Sequence, residues 1–133
     1  MTNRNRRDEI VARYAAGERS FPGLELDGET MDLRNCNLWG ADFSKSYIFA
    51  DFRDANLQGV SFEHANVKTC DFRGANLRGA SFRGALIDAA EFDGADMAGA
   101  VFEGATVHSH TFVAGEFPIV DLSSYRSIDS RSW

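Results

Sequence analysis

The chain is expected to be all-β, with its backbone wound into stacked coils of four five-residue sides each. Three observations carry that expectation. From Ala50 the sequence reads ADFRD, ANLQG, VSFEH, ANVKT, CDFRG, ANLRG, ASFRG, ALIDA, AEFDG, ADMAG and AVFEG, with the third residue of every unit apolar. The first residue is usually alanine, replaced here only by Val60 and Cys70. Third residues twenty apart also match in size: Phe52, Phe72, Phe92 and Phe112; Leu57, Leu77, Met97 and Phe117; Phe62, Phe82 and Phe102. Finally, the register survives a deletion. If the short unit SYIF lacks one residue after Ile48, then Phe43 joins the Phe62 column, Leu38 the Leu57 column and Ile48 the branched column of Val67 and Ile87.

Neither regular backbone period explains a repeat of five. On an α-helix each unit would be rotated by about 140° from the last, scattering the alanines around the cylinder. On a flat strand an odd step sends successive alanines to opposite faces. A coil that turns a corner every five residues does keep them together. Its third residue fills the interior, its first points inward and must be small, and the other three face out. Coils about 4.8 Å apart bond through their backbones, so roughly five of them make a rod of about 24 Å. The frequent glycine at the fifth position fits the corner.

Three segments follow in chain order. Residues 1–20 are basic and then amphipathic: Asp8 is the expected N-cap of a short helix, Ile10, Val11, Tyr14 and Ala15 form its apolar stripe, and Gly17 stops it. That helix is expected to lid the first coil, because the open edge of a coil invites aggregation. Residues 21–124 form the coiled body, with Phe21 to Gly28 fitting the repeat loosely. Residues 125–133 are a tail with Tyr125 and Trp133 as anchors. With Phe117 and Ile119, they either fold over the last coil or meet a second copy of the chain across a two-fold axis.

The units resemble those of the pentapeptide-repeat proteins, whose motif is a small residue, Asp or Asn, Leu or Phe, and two variable residues. The match runs from about Met31 to Ser124. The resemblance implies a right-handed quadrilateral β-helix, each pentapeptide forming one side, with an N-terminal α-helical cap. Bacterial proteins of this kind include DNA-mimicking protectors of gyrase, a type II topoisomerase, and many without an assigned role.

Composition and position narrow the chemistry. A net charge of −6 argues against direct nucleic-acid binding. No apolar run is long enough to span a bilayer and no signal segment opens the chain, so a cytoplasmic location is expected. Cys36 and Cys70 fall on different sides in different coils, and Cys70 stacks between Ala50 and Ala90 as a buried thiol. His108 is an outward residue while His110 takes an inward alanine position, so the pair does not converge on a metal. A filled rod offers no concave pocket for a catalytic set, and neither catalysis nor a cofactor is expected.

Charge is segregated. Between Gly84 and Tyr125 there is no Lys or Arg, whereas Lys68, Arg73, Arg78 and Arg83 precede it. Twenty-residue stacking sets Lys68 beside Asp88, Arg73 beside Asp93, and Arg83 between Glu63 and Glu103, leaving Glu91, Asp96, Glu116 and Asp121 unpaired. That remainder is small for a DNA-like surface, so gyrase mimicry is the secondary reading. The primary one is a non-catalytic, rigid protein-interaction module. Its candidate contact residues are the outward apolar side chains Trp39, Tyr47, Phe49 and Leu86, of which Tyr47, Phe49 and Leu86 share one side. The partner is a protein that the sequence does not identify, with the C-terminal end as the place for a homodimer.

Overall fold

In the computed structural model, which describes residues 3–118, the five-residue units between Met31 and Gly104 end in the same turn. The N–H of a unit's first residue bonds the carbonyl of the previous unit's third: Ala55 to Phe52 at 3.0 Å, Val60 to Leu57 at 3.1 Å, Ala75 to Phe72 at 3.0 Å. The fifth residue is the third member of that four-residue turn, and it has positive φ. Gly59, Gly74 and Gly79 lie at 68°, 71° and 68°, as a type II turn requires. Where glycine is absent, Asn35, Lys45, Asp54, His64, Thr69 and Ala89 are held at 58–63°. An L-residue resists this conformation, so the glycines that recur at fifth positions lower the cost of each corner.

Parallel bridges join consecutive coils in four rows. One runs Asp51, Asp71, Glu91; the next Asn37, Asn56, Asn76, Asp96; the third Ser20, Asp42, Ser61, Ser81, Val101; the fourth Tyr47, Asn66, Leu86, Thr106. Second-position residues thus form the seams and third-position residues the interior. This is a β-helix-type fold, although regular strands are few: each side is too short to extend beyond an isolated bridge.

The interior is an aromatic zipper. Phe21, Phe43, Phe62, Phe82 and Phe102 stack at 5.4, 5.8, 5.1 and 4.8 Å between successive centroids. Phe52, Phe72 and Phe92 stack at 5.2 Å each. Edges of one column meet faces of the other, as in Phe72–Phe82 at 5.5 Å and 88°. Leu57 and Leu77 are fully buried beside them. Met97 is only partly buried, because it lies in the last coil where its side has no further tier above it. Cys70 packs in the lumen and its thiol lies 3.2 Å from the Ile48 carbonyl. Burial pushes that thiol up to about 12, so it stays protonated and inert.

The short unit has a visible consequence. Its corner is replaced by an extended segment, β2 (Tyr47–Asp51), paired in parallel with β1 (Glu25–Asp32). The pairing slips between Leu26 and Met31, so β1 carries extra residues where β2 has only Phe49. Phe49 is drawn half into the wall rather than standing fully outside. Ser46 takes the small inward position of this unit, where its hydroxyl accepts the Leu24 N–H at 3.0 Å.

The helix α1 (Asn3–Ala15) starts five residues before Asp8, which therefore lies inside the helix and is not its N-cap. Gly17 does end it. Glu18 N–H bonds the Arg13 carbonyl and Gly17 N–H the Tyr14 carbonyl, with Gly17 at φ 100°, the paired bonds of a Schellman stop. The apolar stripe is narrower than its sequence implies. Ile10 enters the core and Tyr14 is half-buried, whereas Val11 and Ala15 are exposed. The Tyr14 hydroxyl donates to the Trp39 carbonyl at 2.7 Å, and the Arg13 guanidinium lies over the Phe21 ring at 4.7 Å. Among the described residues no helix is long and apolar enough to cross a membrane.

The winding changes at its far end. The last parallel bridge is Leu86 to Thr106. Beyond it β3 (Thr106–Val107) turns back on β4 (His110–Thr111), antiparallel, with Val107 opposite His110. The expected fifth coil, with Phe112 stacked on Phe92, is therefore absent from the described residues. Phe112 is buried against Phe102 at 6.2 Å instead, tilted by 40°. Its N–H bonds the Ala105 carbonyl, so the chain's own return strand occupies the edge of the fourth row.

Candidate functional site

Two regularities put chemistry on the outside. The second residue of each unit stands at a seam, and its side-chain oxygen often accepts the N–H two residues on, as in Asp51 to Arg53 and Asn66 to Lys68 at 3.1 Å. The fourth residue leans over the same strip. Where second positions are acidic and fourth positions arginine, a continuous ladder results. Arg34 pairs with Asp32 at 2.9 Å and lies 3.9 Å from Asp51; Arg53 pairs with Asp51 at 2.7 Å and reaches Asp71 at 3.5 Å. Arg73 pairs with Asp71 at 2.7 Å and reaches Glu91 at 3.5 Å. Each arginine thus clamps its own unit and the next tier.

This corrects the stacking expected from sequence. Arg73 meets Glu91 rather than Asp93, because a long side chain crosses diagonally to the seam. Arg83 does pair with Glu103 at 2.9 Å, and Arg78 with Asp96 at 3.1 Å. Lys68 makes no ion pair among the described residues; Asp88 instead accepts the His108 N–H at 2.8 Å and anchors the hairpin loop. Glu91, Asp96 and Glu116, expected to be unpaired, all have partners. Asp121 lies outside the described residues.

The ladder shifts its carboxylates. The Arg34 side chain, with the Arg34 N–H, holds Asp32 at about 2. At Asp71 burial works against ionisation, yet the hydrogen bonds from Arg73 still bring the carboxyl below its ordinary value. At Asp96 the Ala98 N–H, then Arg78, lowers it. A carboxylate depressed in the folded state contributes stability above its unfolded value and loses it as the group is protonated. Melting temperature should accordingly hold steady down to about pH 4 and fall between the ordinary Asp value of 3.8 and about 2, as measured by calorimetry in acid buffers. Arg34→Ala should shrink the Asp32 share of that fall.

The outward apolar residues are not one patch. Trp39 is 53% exposed and follows Asn37, in the asparagine row. Tyr47 and Leu86, 50% and 37% exposed, belong to the fourth row with Asn66 between them. Phe49 is half-buried. So the candidate surface reduces to Tyr47 and Leu86 on one side and Trp39 on another.

At the C-terminal end Phe117 is 44% exposed and 5.9 Å from Phe102. Ile119, Tyr125 and Trp133 lie outside the described residues. The histidines have explanations of their own. The loop residue His108 takes φ 54°, the positive value a two-residue hairpin loop demands. His110 faces Glu116 at 2.6 Å and the Phe112 ring at 4.9 Å, and Glu116 also accepts the Val113 N–H at 3.0 Å. Sequence reasoning missed this Glu116 clasp. The signal was the imidazole in an alanine slot, which a lumen cannot seat. Among the described residues no group of three His, Cys, Asp or Glu could hold a metal.

Four bridged rows, an inward third residue and a positive-φ fifth define a β-helix built from five-residue units. The family model "Pentapeptide repeats" matches residues 50–87 and 70–104, in eight copies. The chain is a pentapeptide-repeat protein. Among solved structures it is similar to HetL of the cyanobacterium Nostoc sp. strain PCC 7120, a pentapeptide repeat protein involved in heterocyst differentiation regulation, with 33% identity over 74% of this chain and 39% of that one, TM-score 0.45. It is 27% identical to a pentapeptide repeat protein of the Arabidopsis thaliana thylakoid lumen, over 68% of this chain and 67% of the other, TM-score 0.41. QnrB1, a plasmid-mediated fluoroquinolone resistance protein, matches at 19% identity over 63% and 56%, TM-score 0.48. The chain thus spans 39% of HetL and 56% of QnrB1. No curated protein matches it.

Proposed function

We propose that the chain is a right-handed, four-sided β-helix with α1 as its N-terminal cap, and that it works without catalysis as a rigid protein-interaction module. The observation that carries this reading is the filled interior. Phenylalanine columns at 4.8–5.8 Å leave no substrate-sized space inside the coils, so recognition falls to the faces. Side chains held in register on a stiff frame lose little freedom on binding, which favours affinity. Of the outward residues, Tyr47 and Leu86 stand on one row and supply apolar contact area on an otherwise polar side. A protein partner in the cytoplasm docks there.

Gyrase protection by DNA mimicry is the weaker reading for this chain. Ion pairs at Glu91, Asp96 and Glu103 take up much of the negative charge it would use. The interaction reading is tested with Tyr47→Ser/Leu86→Ser, both at exposed seams. Circular dichroism should not change, since surface replacements cost within about 0.5 kcal/mol, while at least one host protein recovered by the unaltered chain should be lost from a pull-down. Recovery of the same set of proteins by both forms overturns the choice of face.

A further inference from the structure

Between α1 and the first coil lies a cleft of about 380 Å³, lined by Arg7, Val11, Tyr14, Arg34, Asn35 and Cys36 among others. It falls within the roughly 300–1,000 Å³ range of small-molecule sites. It opens beside Arg34, the first rung of the charge ladder, and away from the Tyr47 and Leu86 row. Its walls differ in chemistry. Val11, Tyr14 and Ala15 of α1 supply apolar surface, while Arg7, also on α1, and Arg34 of the first coil bring guanidinium groups.

The hydrogen bonding of those groups is incomplete. Arg7 Nη2 lies 3.7 Å from the Cys36 thiol and its Nη1 3.7 Å from the Asp8 carboxylate, both long contacts. Arg7 Nε is buried and has no hydrogen-bond partner among the described residues, a costly state for a cationic donor. Arg34 commits Nε and Nη2 to Asp32, and Nη1 has no partner among the described residues. Cys36 stays protonated, since burial pushes its thiol up, and adds no negative charge to the cleft.

We propose that this cleft binds a small amphipathic carboxylate, its anionic end on Arg7 and Arg34 and its hydrocarbon part against Val11, Tyr14 and Ala15. Arg34 Nη1 and the partly exposed guanidinium end of Arg7 offer a carboxylate charge-assisted donors. The apolar wall selects for a hydrocarbon group over a bare inorganic anion. Because the ligand bridges α1 and the first coil, binding also holds the helix in place.

The test uses the full ¹⁵N-labelled chain titrated separately with phenylacetate, phenylacetamide and inorganic phosphate. Phenylacetate should move the amide resonances of Val11, Tyr14, Asn35 and Cys36 saturably, and the other two probes should not. Arg7→Gln should weaken phenylacetate binding roughly tenfold or more. No saturable shift with phenylacetate, equal affinity for phenylacetamide or phosphate, or unchanged binding by Arg7→Gln overturns the proposal. If Arg7→Gln disturbs resonances throughout α1, the comparison of the three probes on the unaltered chain decides alone.

Discussion

Phe82→Ala should lower the unfolding free energy by about 3–5 kcal/mol, the range for removing a buried phenylalanine ring. Phe82 is fully buried and touches four other rings: Phe62 at 5.1 Å, Phe102 at 4.8 Å, Phe72 at 5.5 Å and Phe92 at 5.7 Å. The tiers above and below are locked by backbone bonds such as Phe82 N–H to Val101 at 2.7 Å and Ser81 N–H to Val60 at 2.9 Å. They cannot collapse inward to fill the space, which puts the loss toward the upper part of that range. Urea denaturation followed by circular dichroism measures it. Trp39→Ser on the outside should move the midpoint little, and a loss at Phe82 no larger than at Trp39 would remove the zipper from the account.

Ala75→Leu tests the other half of the repeat. Ala75 occupies the small inward position after a corner, is 1% exposed, and its N–H closes the turn onto the Phe72 carbonyl at 3.0 Å. Extra methylenes there must displace the backbone of a coil held on both sides, or drive Phe72 from its stack. Overpacking of this kind costs about 1–3 kcal/mol. The same denaturation experiment reads it, with Asn76→Ser on the neighbouring seam as the control. A leucine tolerated without loss would show that the lumen has room the described packing denies.

Much of this molecule is written in its sequence, because two strong constraints repeat. An inward position must be apolar, and a corner must accept positive φ; Phe52, Phe72 and Phe92 report the first, Gly59, Gly74 and Gly79 the second. Gly17 is legible for the same reason. What escaped depends on side-chain reach or on competing backbone choices. Arg73 finds Glu91 by crossing to the seam, a diagonal that column alignment does not contain. The units ATVHS and HTFVA keep the rhythm of five, yet Thr106, Val107, His110 and Thr111 also suit a hairpin with a two-residue loop, and antiparallel pairing wins where no further coil stacks above. Asp8 has the chemistry of an N-cap, but the arginines before it are good helix formers and carry the helix back to Asn3. The candidate contact residues were legible as exceptions to a polar exterior, and the twenty-residue spacing already put Tyr47 and Leu86 on one side, as the bridges do. The withdrawal of Phe49 into the wall depends on the slipped β1–β2 pairing, which the spacing does not contain.

The stacked phenylalanine lumen is tested by a nuclear Overhauser measurement on a sample with selectively labelled phenylalanine rings. Tiers twenty residues apart should give ring-to-ring cross-peaks for Phe72 with Phe92, whose centroids are 5.2 Å apart, and for Phe82 with Phe102, at 4.8 Å. Absence of both, with those rings open to a paramagnetic probe in the solvent, would contradict a lumen filled by stacked aromatic side chains.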